Sequence, residues 1–422
     1  MKKLLLFASL LIHLVAAAQS DKAPAYPLIT HDPYFSIWSF SDTLSASPTR
    51  HWTGTDHSLT GLIKVDGKVY RFMGDKSVGF ETVLPASDEA VYSSAYSESK
   101  PEEGWMNEGF DDSKWKKGNA PFTENASMAG TIWTTKEIWT RRTFNIKTLP
   151  TRKTYLKLQH DDDVTVYLNG KKIYELVGYA GKYVFIPLSN SGDALKTGQN
   201  ILAIHVVNTG GNQNIDAGLV QEEKTAPDNT VRAIQKSVSL TATKTTYRFT
   251  AGSIDLELSF LSPLLTDDLE LLSRPITYIN SKVGANDGKS HNVEIQFGAS
   301  ANIAVNSPSQ NVQTKIYSDK DLSVARAGSS AQQVLQKKGD DLRIDWGYMY
   351  VVAGREKLKT QFISSAANSV SLFANGQKPV AVDSGRGLVL NTILTPGTVG
   401  ATPKEVMLMI GYDDIYSVQF FN

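Results

Sequence analysis

His160 stands directly before Asp161, Asp162 and Asp163 in the stretch LQHDDDVTVYLNGKKIYEL, residues 158 to 176. Clustered carboxylates beside an imidazole can gather a hard cation or relay a proton. A second concentration, RHWTGTDHSL, brings Arg50, His51, Trp52, Asp56 and His57 into one short segment. Two histidines and a carboxylate are ligand types for zinc, and an aromatic among polar groups in a loop is the composition of a binding surface. The chain has no cysteine, which excludes thiolate metal sites, a cysteine nucleophile, disulfides and lipid attachment through a thioether. No G-x-S-x-G elbow, P-loop or dinucleotide fingerprint occurs.

The local pattern weighs against chemistry at the acidic stretch. Val164, Val166 and Leu168 fall on one face and Thr165 and Tyr167 on the other, with a turn at Asn169-Gly170. The aspartates therefore enter a strand from a turn, where short carboxylates accept backbone N–H bonds. Calcium takes six to eight oxygens from well-separated positions, and three consecutive residues of an extended chain cannot all face one ion. A turn role is the main reading. A ligand or calcium contact at Asp161, Asp162 and Asp163 is the alternative. In RHWTGTDHSL the histidines are expected either to be satisfied within a hydrogen-bonded loop or to border a pocket. No H-x-x-x-H helix accompanies them, so no zinc is assigned. Neither segment supplies a catalytic residue.

The elements around these segments read as almost wholly β. Short runs of alternating polarity are separated by Gly, Asn, Asp, Ser and Pro clusters, and no long 3.6-residue period follows the N-terminus. GLIKVDGKVYRFMG reads as a hairpin about Asp66-Gly67, and QQVLQKKGDDLRIDWGYMYVVAG as a further strand pair with a longer turn. Residues 84–101 and 223–227 read as linkers, although AVYSSAY within the first could pair as an edge strand. Between them lie Trp105, Trp115, Trp133 and Trp139, four of the seven tryptophans, expected mainly as core rather than as sugar platforms.

Lys plus Arg and Asp plus Glu both number 43 in 422 residues. That balance offers nucleic acid or an anionic membrane no electrostatic attraction. The opening MKKLLLFASLLIHLVAAAQS has a basic start, an apolar run and a small-residue end, the pattern of a secretory signal over residues 1–18 cleaved after Ala18. The run is too short to span a bilayer. Export to the periplasm or the exterior, with no membrane attachment after cleavage, is the expectation.

Two resemblances organise the remainder. GWMNEGFDDSKWKKGNAPF, TIWTTKEIWTRRTFNI, LKLQHDDDVTVYLNGKKI and GQNILAIHVVN, in that order, resemble the galactose-binding-like jelly-roll module over residues 102–222. YPLITHDPYFSIWSF, RHWTGTDHSLTGLIKVDGKVYRFMG, TYRFTAGSIDLELSFLSPLLTDDLELLSRPITYIN and VGANDGKSHNVEIQF resemble the N-terminal β region of the glutaminase A family, over residues 25–83 and 228–422. Together they imply an all-β chain, a discontinuous β-sandwich interrupted by the inserted jelly-roll. The second also implies that a six-hairpin helical domain, in the same or a separate chain, carries hydrolysis of glutamine to glutamate and ammonia. On that reading this chain is the non-catalytic N-terminal β portion, truncated or split at VMLMIGYDDIYSVQFFN, bracing the helical partner and shaping its pocket rim. A carbohydrate-binding accessory protein, or the N-terminal part of a six-hairpin glycoside hydrolase, is the alternative. No cofactor is implied beyond the possible calcium, and glycan is the possible ligand.

Overall fold

The structure is a computed structural model that describes residues 22–75, 79–188, 194–224, 228–336, 341–377 and 382–415. The signal-like segment and the tail after residue 415 lie outside the described residues. No helix among the described residues is long and apolar enough to cross a membrane. The chain is all-β, a discontinuous β-sandwich with an inserted jelly-roll sandwich. It divides into two compact units, one of residues 1–77 and 227–422, the other of residues 78–226.

The discontinuous unit packs a six-stranded sheet against a nine-stranded one. The six-stranded sheet is ordered Val231–Arg232, Lys68–Met73, Leu59–Val65, His291–Ser300, Leu388–Val399, Leu358–Ser365. The nine-stranded sheet has Tyr348–Gly354 and Lys404–Asp413 near its centre and Ile234–Leu240 at one edge. Period-two patterning explains both. Tyr247, Phe249, Leu256, Leu258, Phe260 and Ile279 point inward from the larger sheet, to meet Ile63, Val293, Ile295, Phe297 and Leu390. The first segment is tied to the second by parallel pairing of Tyr70 with Val231 and by the buried ion pair of Arg71 with Asp228, 2.8 Å. Leaving and returning strands are thus neighbours, which is what tolerates an insertion there.

Three local expectations change. The chain carries a ten-residue helix, Ala366–Asn375, closed by Gly376 at φ 64°. It lies on the outer face of the six-stranded sheet, where Phe373 packs with Leu62, Val69, Phe362 and Ile393. QQVLQKKGDDLRIDWGYMYVVAG is not a hairpin: its one strand among the described residues, Tyr348–Gly354, pairs with Leu322–Ser329 and Lys404–Asp413. Within the segment read as a linker, Ser93–Ser97 pairs with Glu137–Ile146 and Lys116–Asn119.

The inserted unit has two six-stranded sheets, one built around Asp163–Leu168, Gly198–Val207 and Glu137–Ile146, the other around Thr154–Asp161 and Asn214–Glu222. Leu156, Leu158, Val164, Val166, Leu168, Leu202, Ile204 and Val206 fill the space between. Trp133 is in this core. Trp105 and Trp139 form a second cluster with Trp115 and Tyr167 on the outer face of one sheet. Arg141, buried there, donates from Nε to Asp112 at 2.8 Å and from Nη1 to the carbonyls of Trp105 and Asn107, so the FDDSKW block is stapled over the sheet.

Candidate functional site

The RHWTGTDH segment closes into a tight loop on the discontinuous unit. Arg50 exchanges backbone bonds with Trp38, and the His51 N–H donates to the Thr55 carbonyl at 2.8 Å. Gly54 supplies the positive φ, 88°, that the tip requires. On the outer side Arg50 Nε reaches Asp56 Oδ1 at 2.9 Å, an exposed ion pair. The loop therefore places all five sequence-predicted residues together but gives them different fates.

The two histidines turn inward. The Thr53 N–H donates to His51 Nδ1, so the other ring nitrogen carries the proton and donates to the Pro33 carbonyl at 3.0 Å. Burial, aided by the nearby Arg343 charge, pushes its pKa down to about 4. His57 is fully buried 5.1 Å from His51, and burial likewise holds it neutral, only partly offset by the Ser36 backbone. Its ring nitrogens make no hydrogen bond of good geometry. His31, stacked on Phe35, is held down at about 4 by burial alone. Burial thus disfavours the charged form of all three.

Trp52 turns outward. Its indole N–H donates to the Pro33 carbonyl at 2.7 Å and its ring leans on His51 at 5.5 Å, while half of the residue (50%) is exposed. Of the seven tryptophans, it alone is exposed to that degree. Tyr34, also exposed, follows Pro33 in the adjoining loop. Asp32 fixes that loop by accepting the N–H groups of Tyr34 and Phe35 at 2.7 and 3.1 Å. Sequence reasoning missed a further member, Arg343. From nearly 300 residues away it donates to Thr53 Oγ1 at 2.8 Å, to Asp341 at 2.5 Å and to the Asn306 carbonyl at 2.7 Å. Only the local DLRIDW polarity hinted at it.

The acidic stretch of the inserted unit is spent on backbone. His160 faces the core and donates from Nδ1 to the Asp162 carbonyl at 2.6 Å, and burial lowers its pKa. Asp162 accepts from the Thr209 N–H and hydroxyl, both 2.7 Å, and from the Gly210 N–H at 3.1 Å, which holds its carboxyl below the usual range. Asp163 accepts the Gly178 N–H at 2.7 Å. Asp161 is left without such donors. Partial burial, the adjacent Asp162 and then Glu124 push its carboxyl up to about 6. Among the described residues no group of three or more His, Asp or Glu is arranged to hold a metal.

The most buried acid of the inserted unit is one the sequence did not single out. Asp216 accepts from the Ser87 N–H and hydroxyl, from Tyr92 at 2.9 Å and from Tyr183. Arg142 stacks 3.4 Å over the Tyr92 ring and donates to the Pro85 and Ala217 carbonyls, while Lys157 pairs with Asp88 at 2.7 Å. Burial raises the Asp216 pKa against the pull of its donors. With both oxygens committed it staples the 84–92 segment to the sheet. Gly218 permits this, since a Cβ there would collide with the Leu84 carbonyl.

Two family models match, both described as domains of unknown function: DUF4964 over residues 10–85 and DUF5127 over residues 243–422. No curated protein matches. Solved structures similar to the chain include a calcium-binding mutant of Bacteroides uniformis β-glucuronidase 2 (14% identity, 53% of this chain and 33% of that one, TM-score 0.29). A glycosyl hydrolase family 2 member from Bacteroides cellulosilyticus is similar at 12% identity over 67% of this chain and 37% of that one, TM-score 0.28. The Ruminococcus gnavus β-glucuronidase with uronic isofagomine is similar at 12% identity over 54% of this chain and 42% of that one, TM-score 0.26. The chain thus spans between a third and somewhat under half of the length of these structures.

The family models overturn the resemblance to the glutaminase A family, and with it the reading of a glutaminase's β portion: both flanks match domains of unknown function instead. The physical reason lies in the blocks that suggested it. Alternating strands and Asp-Gly turns are what any antiparallel sandwich needs, so they specify a fold and not a reaction.

Proposed function

We propose that this chain is a carbohydrate-binding accessory protein, exported and non-catalytic, which holds glycan for a glycoside-processing system. The observation that carries this reading is the fixed, outward-facing indole of Trp52. Its one polar atom is satisfied by Pro33 and its ring is braced by His51, so little side-chain entropy is lost on binding. An exposed aromatic face with a polar edge suits the apolar face of a sugar ring. The Arg50–Asp56 pair beside it offers donors and acceptors for ring hydroxyls, and Tyr34 extends the surface.

The same loop argues against catalysis. A glycosidase needs two carboxyl groups with opposed protonation. Here Asp56 and Asp341 are each paired with an arginine, and the neighbouring histidines are neutral and buried. Calorimetric titration of the full chain against plant and host polysaccharides tests the proposal. Binding that Trp52→Ala abolishes is expected. Binding unaffected by that change, or none across the panel, contradicts it.

A further inference from the structure

The outer face of the nine-stranded sheet breaks the usual alternation of polar and apolar sides. Across neighbouring strands, cross-strand register aligns Leu261, Tyr278, Met409, Val352 and Val324 on the side away from the core. Beside this row lies a cavity of about 630 Å³, floored by Leu261, Ile276, Tyr278 and Met407. The segment 262–275 borders it and lends Leu265 and Leu271 to its wall. That segment is ordered: Asp268 caps the short helix Leu269–Leu272 by accepting the Leu271 N–H at 3.0 Å. Yet Leu264 (63% exposed) and Leu269 (75%) project into solvent. A lid whose leucines face outward over an apolar groove is half of an interface.

Charge says what the other half is. The lid carries Asp267, Asp268 and Glu270, while Lys244 and Lys357 line the groove together with Glu356 and Glu405. Glu270 is engaged by Arg274 at 2.6 Å and Glu405 by Lys282 at 3.5 Å. Among the described residues, no carboxylate partner is present for Lys244 or Lys357, and no cation for Asp267. One patch thus holds an apolar knob edged with acid and an apolar hole of mixed charge at which Lys244 and Lys357 stand unpaired among the described residues. Such a patch is complementary to itself under a two-fold rotation, in which each residue meets its counterpart reciprocally.

We propose that this face is a homodimer interface, with the 262–275 lid of each copy seated on the groove of the other. Leu264 and Leu269 then lie against Tyr278 and Met407, and Asp267 meets Lys244 or Lys357 of the second copy. The inference is independent of the glycan reading, and Trp52→Ala leaves it unaffected.

Sedimentation of the full chain across a concentration series tests it. A monomer–dimer equilibrium is expected for the natural sequence. The double variant Leu264→Asp, Leu269→Asp is expected to be monomeric with an unchanged melting temperature and circular dichroism spectrum, since both side chains are exposed. Lys244→Glu and Asp267→Lys should each weaken dimerisation by about tenfold, and their combination should recover part of the loss. A natural chain that stays monomeric up to its solubility limit overturns the proposal. So does a dimer that persists in the leucine variant.

Discussion

The loop around Trp52 and the acidic hairpin entrance at residues 160–163 hold the same kinds of residue and use them in opposite ways. At the hairpin the polar groups are consumed by the chain itself: Asp162 and Asp163 take backbone N–H groups from two other loops, and His160 faces the core. At the Trp52 loop both histidines are buried, His51 hydrogen-bonded within the chain, while an aromatic ring and an ion pair stay outward. Of these histidines and aspartates, His51, His160, Asp162 and Asp163 serve as anchors. What distinguishes a binding surface is the large side chain left over once the anchors are satisfied.

Breaking the anchors should have the largest effect. Asp216→Ala strands the hydroxyls of Tyr92, Tyr183 and Ser87 in the interior of the inserted unit. Leaving these buried hydroxyls without their acceptor is expected to cost about 3 kcal/mol in denaturant unfolding. Asp162→Ala removes three acceptor contacts nearer the surface and should cost about 2 kcal/mol.

The adjacent Asp161 should behave oppositely. Its folded carboxyl sits at about 6, above the ordinary 3.8, so the folded state binds more protons than the unfolded one between those values. Stability contributed by this group therefore falls as pH rises from about 4 to about 6. Asp161→Asn should flatten that slope and raise stability at neutral pH by about 1 kcal/mol or less, because the group is only partly buried. A destabilised Asp161→Asn protein would show that this carboxylate is an anchor after all.

His291 supplies a smaller effect of the same sign. Its ring nitrogens donate to Asp66 at 2.6 Å and Asp287 at 3.0 Å, and these partners raise its pKa above 6.5 and lower that of Asp287 to about 2. The stabilisation is complete below the unfolded value of 6.5 and is lost as pH rises through the raised one. The melting temperature of His291→Gln should accordingly change less than that of the natural chain between about pH 6 and 8.

The sequence was most legible where geometry is local. Asp66-Gly67 and Asn169-Gly170 take the positive φ angles, 47° and 88°, 51° and 84°, that their dipeptides favour. The backbone-accepting role of Asp162 and Asp163 followed from their position before a strand of period two. Illegible features were those decided by distant chain. Nothing near Thr53 announces Arg343, and nothing near Asp216 announces Ser87 or Tyr92. The helix Ala366–Asn375 escaped because ten residues rich in Ala and Ser give too short an apolar period, and only the sheet beneath Phe373 selects it. Ser93–Ser97 was legible only in part: AVYSSAY offered an edge strand, but a polar strand does not announce that it is paired on both sides.

The central claim is that Trp52, and not the acidic stretch, meets the ligand. It is tested most directly by titrating one polysaccharide that the natural chain binds into three proteins: the natural chain, Trp52→Ala and Asp161→Asn. The account predicts loss of binding in Trp52→Ala, with folding within about 1 kcal/mol of the natural chain, and unchanged binding in Asp161→Asn. Binding retained by Trp52→Ala and lost by Asp161→Asn would contradict it.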